Sequence, residues 1–168
     1  RDVERSRGLG DVYKRQQVDR EGNVNCTCIG DHEKPKVALV GPIFLPEHLA
    51  LFGREYIMMP HHEKRCFVPH IDHISGVGFP GGRVGRRQLG LTGGGPSHIF
   101  TPKCIFAFDE NGELYVESIH PGVTAEDVIE STGFDLGDLS CVPVTPEPSA
   151  EELSILRNEV DPHHILLD

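Results

Sequence analysis

Gly93 to Phe134, GGGPSHIFTPKCIFAFDENGELYVESIHPGVTAEDVIESTGF, restricts the fold of this chain more than any other stretch. Three glycines open it. Apolar runs at Ile99-Phe100 and Cys104 to Phe108 then read as strands. Asp109-Glu110-Asn111-Gly112 is a hairpin signal, because Asn-Gly accepts the positive φ that tight hairpin turns demand. Leu114 to Ile119 returns as the partner strand. After the turn at His120-Pro121-Gly122, Thr124 is a good N-cap with Asp127 three residues on, and Val128 and Ile129 give the helix an apolar face that Gly133 closes. A hairpin followed at once by a helix requires strands and helices in one layered domain.

The rest of the chain agrees. Gln17 to Ile29 reads as strand, turn at Arg20-Glu21-Gly22-Asn23, and strand. Val37 to Val40 is a buried-strand candidate ended by Gly41-Pro42. Pro46 to Leu51 is a short helix with proline in its first turn and Gly53 past its end. Tyr56 to Met59 is a further apolar run, and Cys66 to Ser75 alternates loosely as a strand does. Gly76 to Gly95 is glycine-rich and basic, and reads as a loop. Ser149 with Glu152 forms a capping box for a last helix, with Leu153, Leu156 and Val160 as its stripe. The expectation is a single α/β domain: an open mixed sheet flanked by helices.

The 168 residues are enough for one domain with a core. The formal charge of −10 disfavours nucleic acid, since the basic cluster Arg83, Arg86 and Arg87 is short. No apolar run reaches the ~20 residues of a membrane span. Five unframed cysteines and the lack of a secretory signal favour free thiols in the cytoplasm. Arg1 to about Gln16 is basic and aperiodic, resembles translated sequencing-adaptor scar, and is set aside from the fold. The native domain then runs 17–168 and is expected to be incomplete at its N-terminus.

Ten histidines raise the question of a metal. His70 and His73 fall on opposite faces if Cys66 to Ser75 is a strand, and Cys26-x-Cys28 has no second pair, so no metal site is expected.

QVDREGNVN (Gln17 to Asn25), the triplet Gly93-Gly94-Gly95-Pro96, Met59-Pro60-His61, His120-Pro121-Gly122-Val123-Thr124 and Thr132-Gly133-Phe134 together carry a resemblance, running from about Gln17 to Asp161, to the beta subunit of family I coenzyme A transferases, the glutaconate type above all. The resemblance implies that family's open α/β fold and ping-pong chemistry on acyl-CoA and carboxylic acid. It implies an alpha subunit as partner and coenzyme A esters as substrates, with no bound cofactor. In the family a glutamate attacks the acyl-CoA and becomes a glutamyl-CoA thioester. That residue sits in a Glu-x-Gly context upstream of the Gln-x-Asp element, and no glutamate here has that place, since Glu110 of Glu110-Asn111-Gly112 lies downstream in the hairpin turn, so no catalytic residue is assigned and the fragment is expected to be inactive alone. Gln17, Asn23 and Asn25 are candidate amide contacts to substrate. Gly93, Gly94 and Gly95 are candidates for close backbone approach to an acyl-CoA, and the three arginines for its phosphates. Where the glutaconate type carries a loop of small residues, this chain has Gly41 to His48, GPIFLPEH, which implies either a pocket reshaped for another acyl group or a different chemistry; a CoA-ester hydrolase of the same fold and a non-catalytic partner subunit stay open as alternatives.

Overall fold

The structure, a computed structural model, describes residues 16–163 and 165. Residues 1–15, set aside from the sequence as non-native, lie outside the described residues.

Two short ribbons come first. β1 (Gln17–Val18) pairs antiparallel with β2 (Val24–Asn25), and β3 (Cys28–Ile29) with β4 (Val37–Ala38). The turn expected at Arg20 to Asn23 joins the first pair, with Gly22 at φ 72°. Its third residue must be glycine for a second reason: a Cβ there would stand 2.5 Å from the Phe108 ring. β4 is not the buried strand that its apolar run suggests. Among the described residues it pairs only with β3, and it is half-exposed, because the ribbon lies on the surface.

Helix α1 (Leu45–Leu51) follows, then the four-stranded sheet in the order β5 (Glu55–Met58), β6 (Pro96–Phe100), β7 (Cys104–Phe108), β8 (Leu114–Ile119). β5 runs parallel to β6 and the other pairs are antiparallel, so the sheet is mixed as expected. Alternation places Ile57, Ile99, Phe106 and Val116 on one face, where they meet Phe67, Leu49 and Val128 in the core. The other face carries Tyr56, Met58, His98, Phe100 and Tyr115 and is open.

Cys66 to Ser75 does not form a strand. Its ends hook onto the β1–β2 hairpin instead: Val68 N donates to Val18 O (3.0 Å), Val18 N to Cys66 O (2.7 Å), and Ser75 N to Val24 O (2.8 Å). Pro69, which has no N–H, interrupts any ladder between them. The basic stretch read as a loop contains α2 (Gly82–Gln88). Its arginines and Gln88 are good helix formers once the glycine pair is passed.

Helix α3 (Ala125–Ser131) has the expected box: Asp127 N donates to Thr124 Oγ1 (3.1 Å) and Thr124 N to Asp127 Oδ2 (3.1 Å). Thr124→Ala is therefore expected to cost about 1 kcal/mol in a urea melt, and Thr124→Ser much less. The box at Ser149 also forms and opens α4 (Ala150–Ile155). Its stripe differs from the sequence expectation. α4 buries no residue, the chain widens into a π-helical turn over Leu156–Val160, and Val160 is exposed.

Candidate functional site

The three amides nominated from the sequence are buried and pair within the chain. Asn25 Nδ2 donates to Gln17 Oε1 (2.7 Å) and to Cys28 O (2.6 Å), while its Oδ1 accepts from Thr27 N (3.0 Å). Gln17 Nε2 donates to Asp72 Oδ2 (2.9 Å). Asn23 Nδ2 donates to Asp19 Oδ2 (2.9 Å), and its Oδ1 accepts from Gly78 N (2.9 Å). Gln17 and Asn25 thus meet across β1–β2, and Asn23 fastens the turn to residues 77–79. Burial pushes the Asp19 carboxyl up, and its hydrogen bonds from Asn23 oppose that shift.

The glycine triplet lies elsewhere, at the entry to β6. Gly93 N donates to Ala50 O and Gly94 N to Phe52 O, both at 2.8 Å. A Cβ on Gly93 would stand 2.5 Å from Phe52 O, one on Gly94 2.0 Å from Gly53 O, and one on Gly95 3.0 Å from the Phe79 ring. Gly93 and Gly94 are therefore required by the chain folding against itself, and Gly95 by its φ of 76°.

Arg86 ties the two regions together. It is buried, and its guanidinium donates to Val77 O (2.8 Å), Gly78 O (2.9 Å), Gly93 O (3.2 Å) and Leu49 O. Those carbonyls belong to the segment behind the hairpin turn, to the glycine triplet and to α1. On sequence alone Arg86 groups with Arg83 and Arg87 as a phosphate-binding candidate. The structure corrects this for Arg86, whose donors point inward.

Two grooves open beside this hub and share Arg83. The first, about 680 Å³, is lined by Arg20, Arg83 and Arg87 and by three acids, Glu21, Glu110 and Glu113. The second, about 370 Å³, lies over the open face of the sheet and is lined by Gly94, Gly95, Arg54, Arg83, His98 and Glu117, among others. There His98 Nε2 is 3.5 Å from Glu117 Oε2, and Ser97 Oγ is 2.8 Å from His98 Nδ1. Arg83 is held in place by its bond to Asp109 O (3.0 Å) and by the Phe79 ring 4.7 Å beneath it.

His62 stands out in the structure but not in the sequence, where it is only one member of a histidine-dense stretch. It is buried between Thr101 Oγ1 and Thr132 Oγ1, each 3.0 Å from a ring nitrogen. Burial, with a smaller effect of Lys103, pushes its imidazole down to about 4. Thr101 and Thr132 each sit where a strand or a helix ends, and no local spacing marks them as partners of a histidine. Among the described residues no group of three His, Cys, Asp or Glu side chains could hold a metal ion, and His70 and His73 are not strand neighbours. His120 bonds Thr145 Oγ1 (3.0 Å) and Thr101 O (2.9 Å), a turn-holding role. Among the described residues no helix is long and apolar enough to cross a membrane.

No protein-family model matches the chain. It is similar to the beta subunit of the 3-oxoadipate CoA-transferase of Pseudomonas knackmussii, at 43% identity over 84% of this chain and 54% of that protein. It is similar to the beta subunit of the glutaconate CoA-transferase of Acidaminococcus fermentans, at 39% identity over 87% of this chain and 54% of that protein. The crystal structure of glutaconate CoA-transferase from that organism superposes with a TM-score of 0.81, covering 90% of this chain and 58% of its own. The IpdB subunit of a cholesterol ring-cleaving hydrolase from Rhodococcus jostii is 30% identical over 92% of this chain and 60% of that protein. The chain spans a little over half the length of these relatives.

Proposed function

This chain belongs to the family of CoA-transferase beta subunits, and from that membership we propose that it serves a complex moving coenzyme A between an acyl-CoA and a carboxylic acid. The observation that carries the reading is the 39–43% identity to two such subunits, set beside a TM-score of 0.81. The hydrolase subunit is similar at 30% and is the less favoured model.

In this reading the chain supplies the wall of the reaction site. An alpha subunit is the partner, the substrates are coenzyme A esters and free acids, and the site of action is the cytoplasm. The covalent step is attack by a glutamate carboxylate on the thioester carbonyl. The C–S bond breaks, coenzyme A thiolate leaves, and the mixed anhydride is then reattacked to give glutamyl-CoA and the free acid. None of the glutamates of this chain is assigned that attack. Gly94 and Gly95, which line the sheet-face groove, are the positions we assign to substrate contact. Gln17, Asn23, Asn25 and Gly93 act by holding that wall in place. Arg20, Arg83 and Arg87 are the cations placed to meet phosphate.

The test uses the full-length subunit assembled with its alpha partner. Acyl-CoA is mixed with labelled acid, and label transfer into the acyl-CoA pool is followed. Borohydride trapping followed by mass spectrometry locates the glutamyl-CoA thioester. Exchange with a trapped glutamate is the expected result. Thioester consumption with no label transfer would show a hydrolase and sink the reading.

A further inference from the structure

We propose that Ser97, His98 and Glu117 form a hydrolytic triad that cleaves small oxygen esters through an acyl-serine. The activity goes beyond the transferase reading, since neither coenzyme A nor a glutamate nucleophile takes part in it.

The three side chains meet on the open face of the sheet. Ser97 Oγ is 2.8 Å from His98 Nδ1, and Glu117 Oε2 is 3.5 Å from His98 Nε2. Regular pleating would send the neighbours Ser97 and His98 to opposite faces. The pairing of β5 with β6 passes from Glu55–Pro96 to Tyr56–His98, so Ser97 is the extra residue of a bulge. The pairing of β7 with β8 passes from Ile105–Ser118 to Phe106–Val116, and there Glu117 is the extra residue. Bulges re-aim side chains. Here each bulged residue is a polar one that reaches the same imidazole. Glu117 arrives from β8 across β7, where Ala107, opposite His98, offers only a methyl group. The rings of Tyr56 and Phe100, 5.6 and 6.0 Å from that of His98, confine its orientation.

Hydrogen-bond inventory assigns the roles. An ionised carboxylate only accepts, so Glu117 selects the tautomer with its hydrogen on Nε2. Nδ1 keeps its lone pair and receives the Ser97 hydroxyl. Nucleophile, base and orienting acid are then in line. Ser97 Oγ attacks the ester carbonyl while its proton passes to Nδ1. The C–O bond breaks, and the alcohol leaves with that proton. Water next attacks the acyl-serine and gives a proton to Nδ1. The bond to Ser97 Oγ breaks, Nδ1 returns the proton to it, and the carboxylic acid is released. Only ester and water are consumed.

All three residues line the groove of about 370 Å³, a volume that suits a small ester. The site is open to a substrate, with the side chains of His98 and Glu117 27% and 43% exposed. Arg54 and Arg83 line the same groove, so the negative charge on the carbonyl oxygen develops in a cleft with cationic lining.

The test incubates the full 168-residue chain with p-nitrophenyl acetate, following nitrophenolate release. A parallel sample receives diisopropyl fluorophosphate, and the label is located by peptide mass spectrometry. Saturable turnover and a phosphoryl label on Ser97 are expected, the label being lost when the chain is unfolded in urea. Ser97→Ala removes one half-buried hydroxyl and is expected to bring turnover down to that of buffer. Ser97→Cys keeps a nucleophile in place and is expected to carry an acetyl adduct at that position. His98→Gln is expected to slow turnover about a hundredfold or more. Glu117 acts through the imidazole and is a positioning residue, so Glu117→Gln is expected to lower kcat at least about tenfold with KM unchanged. Turnover that survives Ser97→Ala, a label absent from Ser97 or persisting there in urea, or a Glu117→Gln effect on KM alone would each overturn the proposal. Coenzyme A is left out throughout, so the result does not depend on the transferase reading.

Discussion

Arg86→Ala is expected to be the most destabilising single change in this chain, lowering the unfolding free energy by at least about 3 kcal/mol in a urea or thermal melt. The side chain is buried and its guanidinium satisfies carbonyls from three segments distant in sequence: Leu49, Val77 with Gly78, and Gly93. Truncation strands the two buried acceptors, Leu49 O and Gly78 O, where water does not replace the lost donors, and each stranded group costs about 1–3 kcal/mol, while Val77 O and Gly93 O are only partly buried. The methylene stem also leaves a cavity against Phe79 and Gly95, whose hypothetical Cβ would sit 3.0 Å from the ring and 3.1 Å from the guanidinium carbon. Arg86→Lys separates charge from shape. It keeps the charge but has three donors on one compact head, which cannot span four carbonyls, so an intermediate loss is expected. Arg87→Ala, on the exposed side of α2, is the control and is expected to be within about 0.5 kcal/mol of the parent. An Arg86→Ala chain as stable as the control would show that these carbonyls are satisfied some other way.

The functional cost of the same change follows from where the four carbonyls lie. Gly93 O fixes the glycine triplet, and Gly78 binds the side chain of Asn23 in the hairpin turn. The groove wall and the QVDREGN element are thereby joined through one cation. Two sequence motifs that resemble a family at separate points are one structural unit, and loss of Arg86 is expected to disturb both.

The legible parts of this fold were those written in local chemistry. The Asp109 to Gly112 hairpin, both capping boxes, the turn at Arg20 to Asn23 and the proline-started α1 depend on residues within a few positions of one another, and each formed where its residues dictate. The mixed sheet followed from a hairpin standing beside single apolar runs. The misread parts depended on distant partners. Cys66 to Ser75 has a strand-like alternation, yet its backbone groups go to β1 and β2 some fifty residues away. Val37 to Val40 is apolar but has only a surface ribbon to pair with. Arg86 looks identical to its neighbours in a basic run, and only the helix formed over Gly82–Gln88 decides that it turns inward. The candidate amides have the same ambiguity: asparagine and glutamine suit a ligand and a buried network equally well, and the network is what the chain builds around Gln17 and Asn25.

Stability is also expected to fall as acid is added between about pH 6.5 and pH 4, with His62 as the cause. The ring is neutral in the folded chain because burial holds its imidazole down to about 4, from 6.5. The unfolded chain gains a proton as pH drops through 6.5, while the folded chain does not until about 4. Folding therefore loses about 1.4 kcal/mol per pH unit in that window, up to roughly 3 kcal/mol, and the loss levels off below it. Above pH 6.5 both states are neutral and this contribution is fully present. Hydrogen-bond inventory says which nitrogen carries the proton. Each threonine hydroxyl has one hydrogen to give. Thr132 Oγ1 gives its own to Val128 O (2.9 Å), so it must accept from Nε2–H. Cys104 O already receives Thr101 N (3.1 Å), so the Thr101 hydroxyl can turn from that carbonyl to donate to the bare Nδ1. Nitrogen-15 spectra of the imidazole are expected to show the Nε2–H tautomer holding to well below pH 6. His62→Gln can keep one bond to each side but has no titrating ring, so its melts are expected to lose the slope between pH 6.5 and 4 while starting from a lower stability at pH 7. A slope that survives the substitution would assign the acid sensitivity to the carboxylates instead.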